Sequence, residues 1–319
     1  MTFAISALDY TVLAAAIASG GTLWQAARRE ARAETRYPST GEIVTLAAGE
    51  FAGARVHIDI RGPEAAPQIV LIHGASGSLR DMTFRLAPAL ERNYRLFIVD
   101  RPGFGWSDPL KHDSIFRQAR LLQAATSQLG ARQPLIVGHS YGGAVALAWA
   151  SEAPDSLSGL VLLAAASQEW HTPLPWLYRL TAPALGQALA VPVISAWAPD
   201  GAVSSAVEEV FAPEAMPEGY IAHFGPQMTL RRKTMRANAR QRANLEAEIR
   251  QMVPRYHQIH VPVELLHGDR DTIVDLGIHS RPTQALLPQA QLTVLQGAGH
   301  MINHTRLDAV LAAIRRIAP

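Results

Sequence analysis

Three kinds of side chain in this sequence could together break an acyl bond, and they lie far apart along it. The run Leu135-Ile136-Val137-Gly138-His139-Ser140-Tyr141-Gly142-Gly143 ends an apolar stretch at a serine boxed by glycines. Glycine on both sides lets the backbone fold into the G-x-S-x-G turn that holds a serine hydroxyl out at the end of a strand. A serine hydroxyl is a weak nucleophile until a base takes its proton, and the base needs a carboxylate to fix its tautomer. Gly297-Ala298-Gly299-His300-Met301 offers the histidine, and His267-Gly268-Asp269-Arg270-Asp271-Thr272 offers the acid.

These groups converge only if a sheet carries them. Gln68 to Ile72, Leu96 to Val99, Leu135 to Val137, Leu157 to Leu163, Val261 to Leu266 and Gln291 to Leu295 are apolar runs suited to strands covered on both faces. Helix-length segments separate the early ones: Met82 to Glu91, and a stretch from Phe116 toward Leu129 that Asp113 or Ser114 can cap. Ile43 to Leu46 and Val56 to Ile60 read as an opening hairpin. Alternating strands and helices predict a doubly wound, mostly parallel α/β sheet, in which ligands bind beyond the carboxyl ends of the strands.

The pattern breaks from residue 168 to 258, where prolines, tryptophans and helix-length apolar patches (Trp176 to Leu189, Val191 to Trp197, Ala206 to Phe211) predict an inserted helical lid. The expected organisation is an N-terminal apolar helix with a charged connector over 1–36, core over 37–167, lid over 168–258 and core again over 259–319. Asp308 to Ile317 closes the chain as an amphipathic helix.

With 29 Lys+Arg against 27 Asp+Glu, the formal charge of +2 gives no push toward nucleic acid. The absence of cysteine removes disulfides, thiolate nucleophiles and cysteine-ligated metals. Tyr10 to Ala27 is charge-free for 18 residues and is followed by Arg28, Arg29 and Arg32. Its charge order is the reverse of a cleaved signal peptide. It predicts an uncleaved anchor or interfacial helix with the folded domain on the cytoplasmic side, the alternative being an Ala-rich helix of a soluble cytoplasmic protein.

From about residue 42 onward the sequence resembles the α/β-hydrolase superfamily. The likeness rests on five features in order: His73-Gly74, Asp100-Arg101-Pro102-Gly103, Gly138 to Gly143, Gly268-Asp269-Arg270-Asp271 and Gly299-His300. It implies Ser140 as nucleophile, His300 as general base and then acid, and Asp271 as orienting acid, with Asp269 left as a turn residue. It implies an oxyanion hole from the backbone N–H of Tyr141, at the start of its helix, and of Ala75, with Ser76 as the other candidate. Ser140 argues against the superfamily's epoxide hydrolases and haloalkane dehalogenases, which use an aspartate there.

The reaction implied is hydrolysis of an ester or related acyl bond through an acyl-enzyme, without a cofactor or metal. C–C bond hydrolysis and cofactor-free peroxidase chemistry are the same-fold alternatives, and a non-catalytic hydrolase-fold binding protein is the alternative from another class. The lid's large apolar residues point to an apolar acyl or ring substrate. His73, Ser76, Trp106, His139, Trp170 and Trp176 are the candidate pocket residues; His304 is expected to be structural. The basic run Arg231, Arg232, Lys233, Arg236, Arg240, Arg242 and Arg250 reads as a solvated helix face that could rest on anionic headgroups.

Overall fold

Short apolar runs bounded by glycine, proline or polar residues become strands here, and they do so in one sheet. The computed structural model describes the backbone of residues 7–318 and the side chains of residues 19–318. It begins with α1 (Ala7–Arg36), followed by the hairpin β1 (Glu42–Thr45) and β2 (Arg55–Arg61). Then come β3 (Gln68–Ile72), α2 (Leu79–Phe84), α3 (Leu86–Leu90), β4 (Arg95–Val99), α4 (Ile115–Gln128), β5 (Leu135–His139), α5 (Tyr141–Glu152) and β6 (Gly159–Leu163). Five α-helices intervene before the sheet resumes: α6 (Trp176–Thr181), α7 (Ala184–Trp197), α8 (Asp200–Glu209), α9 (Tyr220–Phe224) and α10 (Arg232–Met252). The chain closes with β7 (Val263–Gly268), α11 (Ser280–Leu286), β8 (Ala290–Leu295), α12 (Ile302–Thr305) and α13 (Leu307–Ile317).

The strand order is β1-β2-β4-β3-β5-β6-β7-β8, antiparallel at β1–β2 and β2–β4 and parallel elsewhere. This is the expected doubly wound architecture. Alternation along each strand feeds two cores. Val70 and Ile72 pack on one side with Leu121, Val145 and Ile249, while Ile69 and Leu71 pack on the other with Met82, Leu86 and Ile314. Each such fully buried aliphatic side chain contributes on the order of 1.5–3 kcal/mol. From β3 the chain crosses to β4 on one flank, and from β5 it crosses to β6 on the other. The loops after β3 and β5 therefore diverge from neighbouring strands at their carboxyl ends, which leaves a crevice there.

Three local expectations change. Residues 28–36 continue α1 rather than forming a connector, because Arg, Glu and Ala are strong helix formers. The helix expected from Met82 starts at Leu79, where Ser78 caps it, and breaks at Arg85; Pro88 lacks the N–H that would have bonded back across that break. Pro183 likewise divides the apolar stretch from Trp176 into α6 and α7. The expected membrane-spanning reading of residues 10–27 has no structural support: among the described residues no helix is long and apolar enough to cross a membrane. The side chains of residues 10–18 lie outside the described residues.

Candidate active site

Ser140 closes β5 and caps α5 with φ 54° and ψ −117°, a conformation that costs on the order of 1–3 kcal/mol and persists only where its surroundings enforce it. Here they do. The Ser140 N–H donates to Leu163 O at 2.9 Å, and its carbonyl accepts from Gly143 N and Ala166 N. A Cβ on Gly142 would collide with the carbonyl oxygens of Ile72 and His73, and one on Gly138 with the carbonyl of Gly142, so strand and helix meet this closely only as glycine.

His300 sits in the turn between β8 and α12, with Nδ1 2.7 Å from Asp271 Oδ2. Asp271 follows β7 and is held from every side: Oδ1 accepts from Ile273 N at 2.8 Å and Val274 N at 2.9 Å, while His267 Nε2 lies 3.2 Å from Oδ2. Burial alone would raise the Asp271 pKa, but the hydrogen bonds from His267 and His300 outweigh it and hold the carboxyl well below its ordinary range. An ionised Asp271 fixes the His300 Nδ1–H tautomer, which leaves Nε2 as the acceptor a general base requires. Asp269 is turned elsewhere, accepting from Gly297 N at 2.7 Å.

Among the described residues no hydrogen bond joins Ser140 Oγ to His300. His139, the residue before Ser140, contacts His300: the ring centroids are 4.8 Å apart and His139 Nε2 donates to His300 O at 3.2 Å.

The loop after β3 lies directly against the serine: a Cβ on Gly74 would stand 3.2 Å from Ser140 Cβ. Its orientation is set from below by Arg101, which is fully buried. Arg101 Nη2 donates to Gly74 O at 2.9 Å and Nε to His73 O at 3.0 Å, while His73 Nδ1 lies 2.8 Å from Gly74 O. In a trans peptide the N–H points opposite the carbonyl, so pinning Gly74 O inward turns the Ala75 N–H outward. Ala75 N and Tyr141 N have no acceptor among the described residues. Ser76 N is already used, donating to Asn238 Oδ1 of α10 at 3.1 Å, and its hydroxyl contacts Asn238 and Tyr178. Of the two donors weighed from sequence, Ala75 is thus the one left free.

The sequence places Arg101 in the Asp100-Arg101-Pro102-Gly103 turn without marking it as a functional residue. It lies between the rings of Phe104 and Tyr141, at 4.4 and 4.2 Å, and donates to Gln118 and Gln241. A fully buried guanidinium is costly to desolvate, and burial lowers its pKa to about 10. The placement of an arginine beside Pro102-Gly103 was the available signal.

The expected pocket residues divide. His73 has both ring nitrogens engaged, Nε2 accepting from Arg101 N at 3.0 Å, and burial followed by the Arg101 charge pushes its pKa down to about 3. His139 is pushed down to about 4 by burial and then by His300. Trp106 is engaged with α1 and the residue after it: its Nε1 donates to Tyr37 O at 3.2 Å and its ring packs with Ala33, Tyr37 and Met228. Trp176 is 72% exposed on α6. Trp170 packs against His279 and Arg242. Both Trp106 and Trp176 were expected near the substrate because large apolar groups flank the motifs; the structure uses one to join α1 to the insertion and leaves the other on the surface. His304 is structural, bonded through Nε2 to Asp81 Oδ1 at 2.7 Å.

Among the described residues, Glu169, His171 and Glu246 bring possible metal-ligand atoms within 4.8 Å of one another. Glu169 there is already paired with Arg250 at 2.7 Å. A cleft of about 190 Å³ lies between α1 and the insertion, lined by Arg29, Glu30, Tyr37, Asp200 and Arg231 among others, apart from the Ser140 loops.

Residues 67–196 match the model of the alpha/beta hydrolase fold family. With the sheet topology above, the chain belongs to the α/β-hydrolase superfamily. It is 28% identical over 250 residues to the dihydrolipoyllysine-residue acetyltransferase component of the acetoin cleaving system of Pseudomonas putida, covering 78% of this chain and 62% of that protein. It is 28% identical over 135 residues to the 2-hydroxy-6-oxononadienedioate/2-hydroxy-6-oxononatrienedioate hydrolase of Comamonas testosteroni, covering 41% of this chain and 46% of that one. The chain thus spans less than two thirds of the length of these relatives. The enol-lactonase of Burkholderia xenovorans LB400 shares the fold, with a TM-score of 0.68 and 19% identity over 83% of this chain and 96% of that one.

Proposed function

We propose that the chain is a serine hydrolase that cleaves an ester or related acyl bond of a fairly apolar small molecule through an acyl-enzyme. The observation that carries this reading is a pair of unpartnered backbone N–H groups beside a strained serine: that of Ala75, turned outward by the pinned Gly74 carbonyl, and that of Tyr141, the first residue of α5. Such donors are useful where negative charge develops on a carbonyl oxygen. In this reading Ser140 Oγ attacks the acyl carbon as His300 Nε2 takes its proton. Ala75 and Tyr141 hold the oxyanion, and the protonated His300 gives the proton to the departing alcohol. A water deprotonated by His300 then releases the acid and regenerates the serine.

The test is labelling by a serine-directed fluorophosphonate together with hydrolysis of aryl esters of rising chain length. Wild type is expected to label and turn over, and Ser140→Ala to do neither while melting at a similar temperature. Equal labelling of the two folded proteins refutes the reading. The resemblance to the Comamonas testosteroni hydrolase favours a second reading, cleavage of a C–C bond in a ring-opened diketone-like substrate. That reading predicts turnover of a vinylogous diketone at least as fast as of the best ester, again dependent on Ser140.

A further inference from the structure

The insertion carries an unusual helix. The sequence of α7, ALGQALAVPVISAW, has no charged residue, and the residues it exposes are Ala184, Leu185, Ala188, Leu189, Val193 and Trp197, all apolar. Leu185 is 71% and Trp197 57% exposed. The spacing of 185, 189, 193 and 197 places the four large ones on one stripe. A helix of a water-bathed surface ordinarily turns its polar residues outward. Beside this stripe, α6 exposes Trp176 and Leu180.

A second element extends the same face. The indole Nε1 of Trp197 donates to Thr22 Oγ1 of α1 at 3.3 Å, and the next residues of α1, Leu23 and Trp24, are exposed. The two elements are fastened as one body: Arg29 pairs with Asp200 at 2.5 Å, Glu30 with Arg232 at 2.8 Å and Glu34 with the buried Arg231 at 2.9 Å. Contiguous apolar surface of this kind marks a site of association.

We infer that the outer faces of α1, α6 and α7 form one surface that docks on an anionic lipid bilayer, lying on it rather than crossing it. Three features select a bilayer over another partner. The sequence that leads into this face, Tyr10 to Ala27, is free of charge. Three tryptophans, Trp24, Trp176 and Trp197, stand exposed on it, the residue type that settles at the headgroup boundary. Exposed cations rim it: Arg28, stacked over Trp24 at 5.3 Å, Arg32 one turn further along α1, and Arg179 between Trp176 and Leu180. On its inner side α6 presents Tyr178, whose hydroxyl is 3.4 Å from Ser76 Oγ in the loop beside Ser140. Docking would therefore hold the Ser140 loops one helix away from the lipid.

The test is cosedimentation of the full chain with vesicles of phosphatidylcholine alone and with phosphatidylglycerol added. Wild type is expected to bind the anionic vesicles at least tenfold better. Leu185→Glu with Leu189→Glu, and separately Leu23→Glu with Trp24→Glu, should each reduce that binding at least tenfold, whereas Ala124→Glu with Ser127→Glu, exposed on α4 and equal in charge, should leave it within twofold. All these variants alter exposed side chains, and their melting temperatures are checked against wild type. Absence of vesicle binding, equal losses in the α4 control, or loss confined to the α1 pair overturns the proposal. So does a wild-type dimer in sedimentation velocity that the α7 pair splits, since a second copy would then cover the face. Ser140→Ala should bind as wild type does, so this result is independent of the reaction at Ser140.

Discussion

Among the described residues two aspartate–histidine pairs meet at the same distance, and only one of them has its histidine in contact with the residue that precedes Ser140. Asp271 and His300 meet at 2.7 Å, and so do Asp81 and His304, four residues further along the chain. Both carboxyls are held below their ordinary range against the opposing effect of burial: Asp271 by His267 and His300, Asp81 chiefly by the charge and hydrogen bond of His304. The difference lies in the surroundings. His304 is enclosed by the rings of Phe84, Phe211 and Tyr220, its Nδ1 is buried without a partner, and the Tyr220 hydroxyl donates to Asp81 at 2.8 Å. His300 instead contacts His139, which precedes Ser140. A buried carboxylate–imidazole pair is therefore a packing device by default, and it becomes a candidate for proton transfer only through what borders the second ring nitrogen.

The largest expected effect separates the pairs by activity. His300→Ala should lower kcat/KM on the best ester by roughly 10³–10⁵-fold, while His304→Ala should leave it within about tenfold. Stability should run the other way. Removing His304 takes away the closest cationic partner of the buried Asp81 and leaves it the neutral donors Tyr220 and Asn303, a loss of about 3–5 kcal/mol, or on the order of 10 °C in Tm for a chain of this size. His300 is nearer the surface of its crevice, and its removal should cost less. Comparable activity losses in the two variants would break the distinction. A milder version is Tyr220→Phe, which deletes one hydrogen bond to Asp81 and should cost about 1–3 kcal/mol in a urea melt with kcat unchanged.

The unequal legibility of the two pairs in the sequence has a physical origin. Asp271 and His300 each follow a strand, in short glycine-bearing loops, and the parallel sheet brings such loops to one edge whatever the helices do. Ser140 and the Gly74 loop are legible for the same reason. Asp81 lies inside a helix and meets His304 across 223 residues; no spacing announces such a contact, which depends on how α2, α9 and α12 pack. Arg101 is similar, since its bonds to Gly74, Gln118 and Gln241 join three elements. Trp106 and Trp176 show the converse: apolar size does not fix proximity to a substrate, since one ring seals α1 against the insertion and the other faces outward. The helical continuation through Arg28–Arg36 was legible in its composition, but charge density there suggested a connector.

The smallest expected effect is a change of slope with pH. The Asp81 carboxyl is depressed in the fold, so the folded chain binds fewer protons than the unfolded one once the pH nears the unfolded value of about 3.9. Its contribution is complete above that value and is lost as the pH falls through the lowered folded value. Asp81→Asn removes a titrating group, so the gap in urea midpoint between wild type and variant should be widest from pH 7 to 5 and narrow steadily toward pH 3. Asp271→Asn should narrow in the same window, because Asp271 is depressed in the same sense. Stability against acid thus cannot tell the pairs apart, and that is the point of measuring it. At pH 7, where both carboxylates are ionised, only Asp271→Asn should lower kcat, by about 10⁴-fold if the orienting role holds. A pH-independent gap for Asp81→Asn would mean that Asp81 is not the depressed carboxylate described here, and the likeness between the two pairs would end at their bond length.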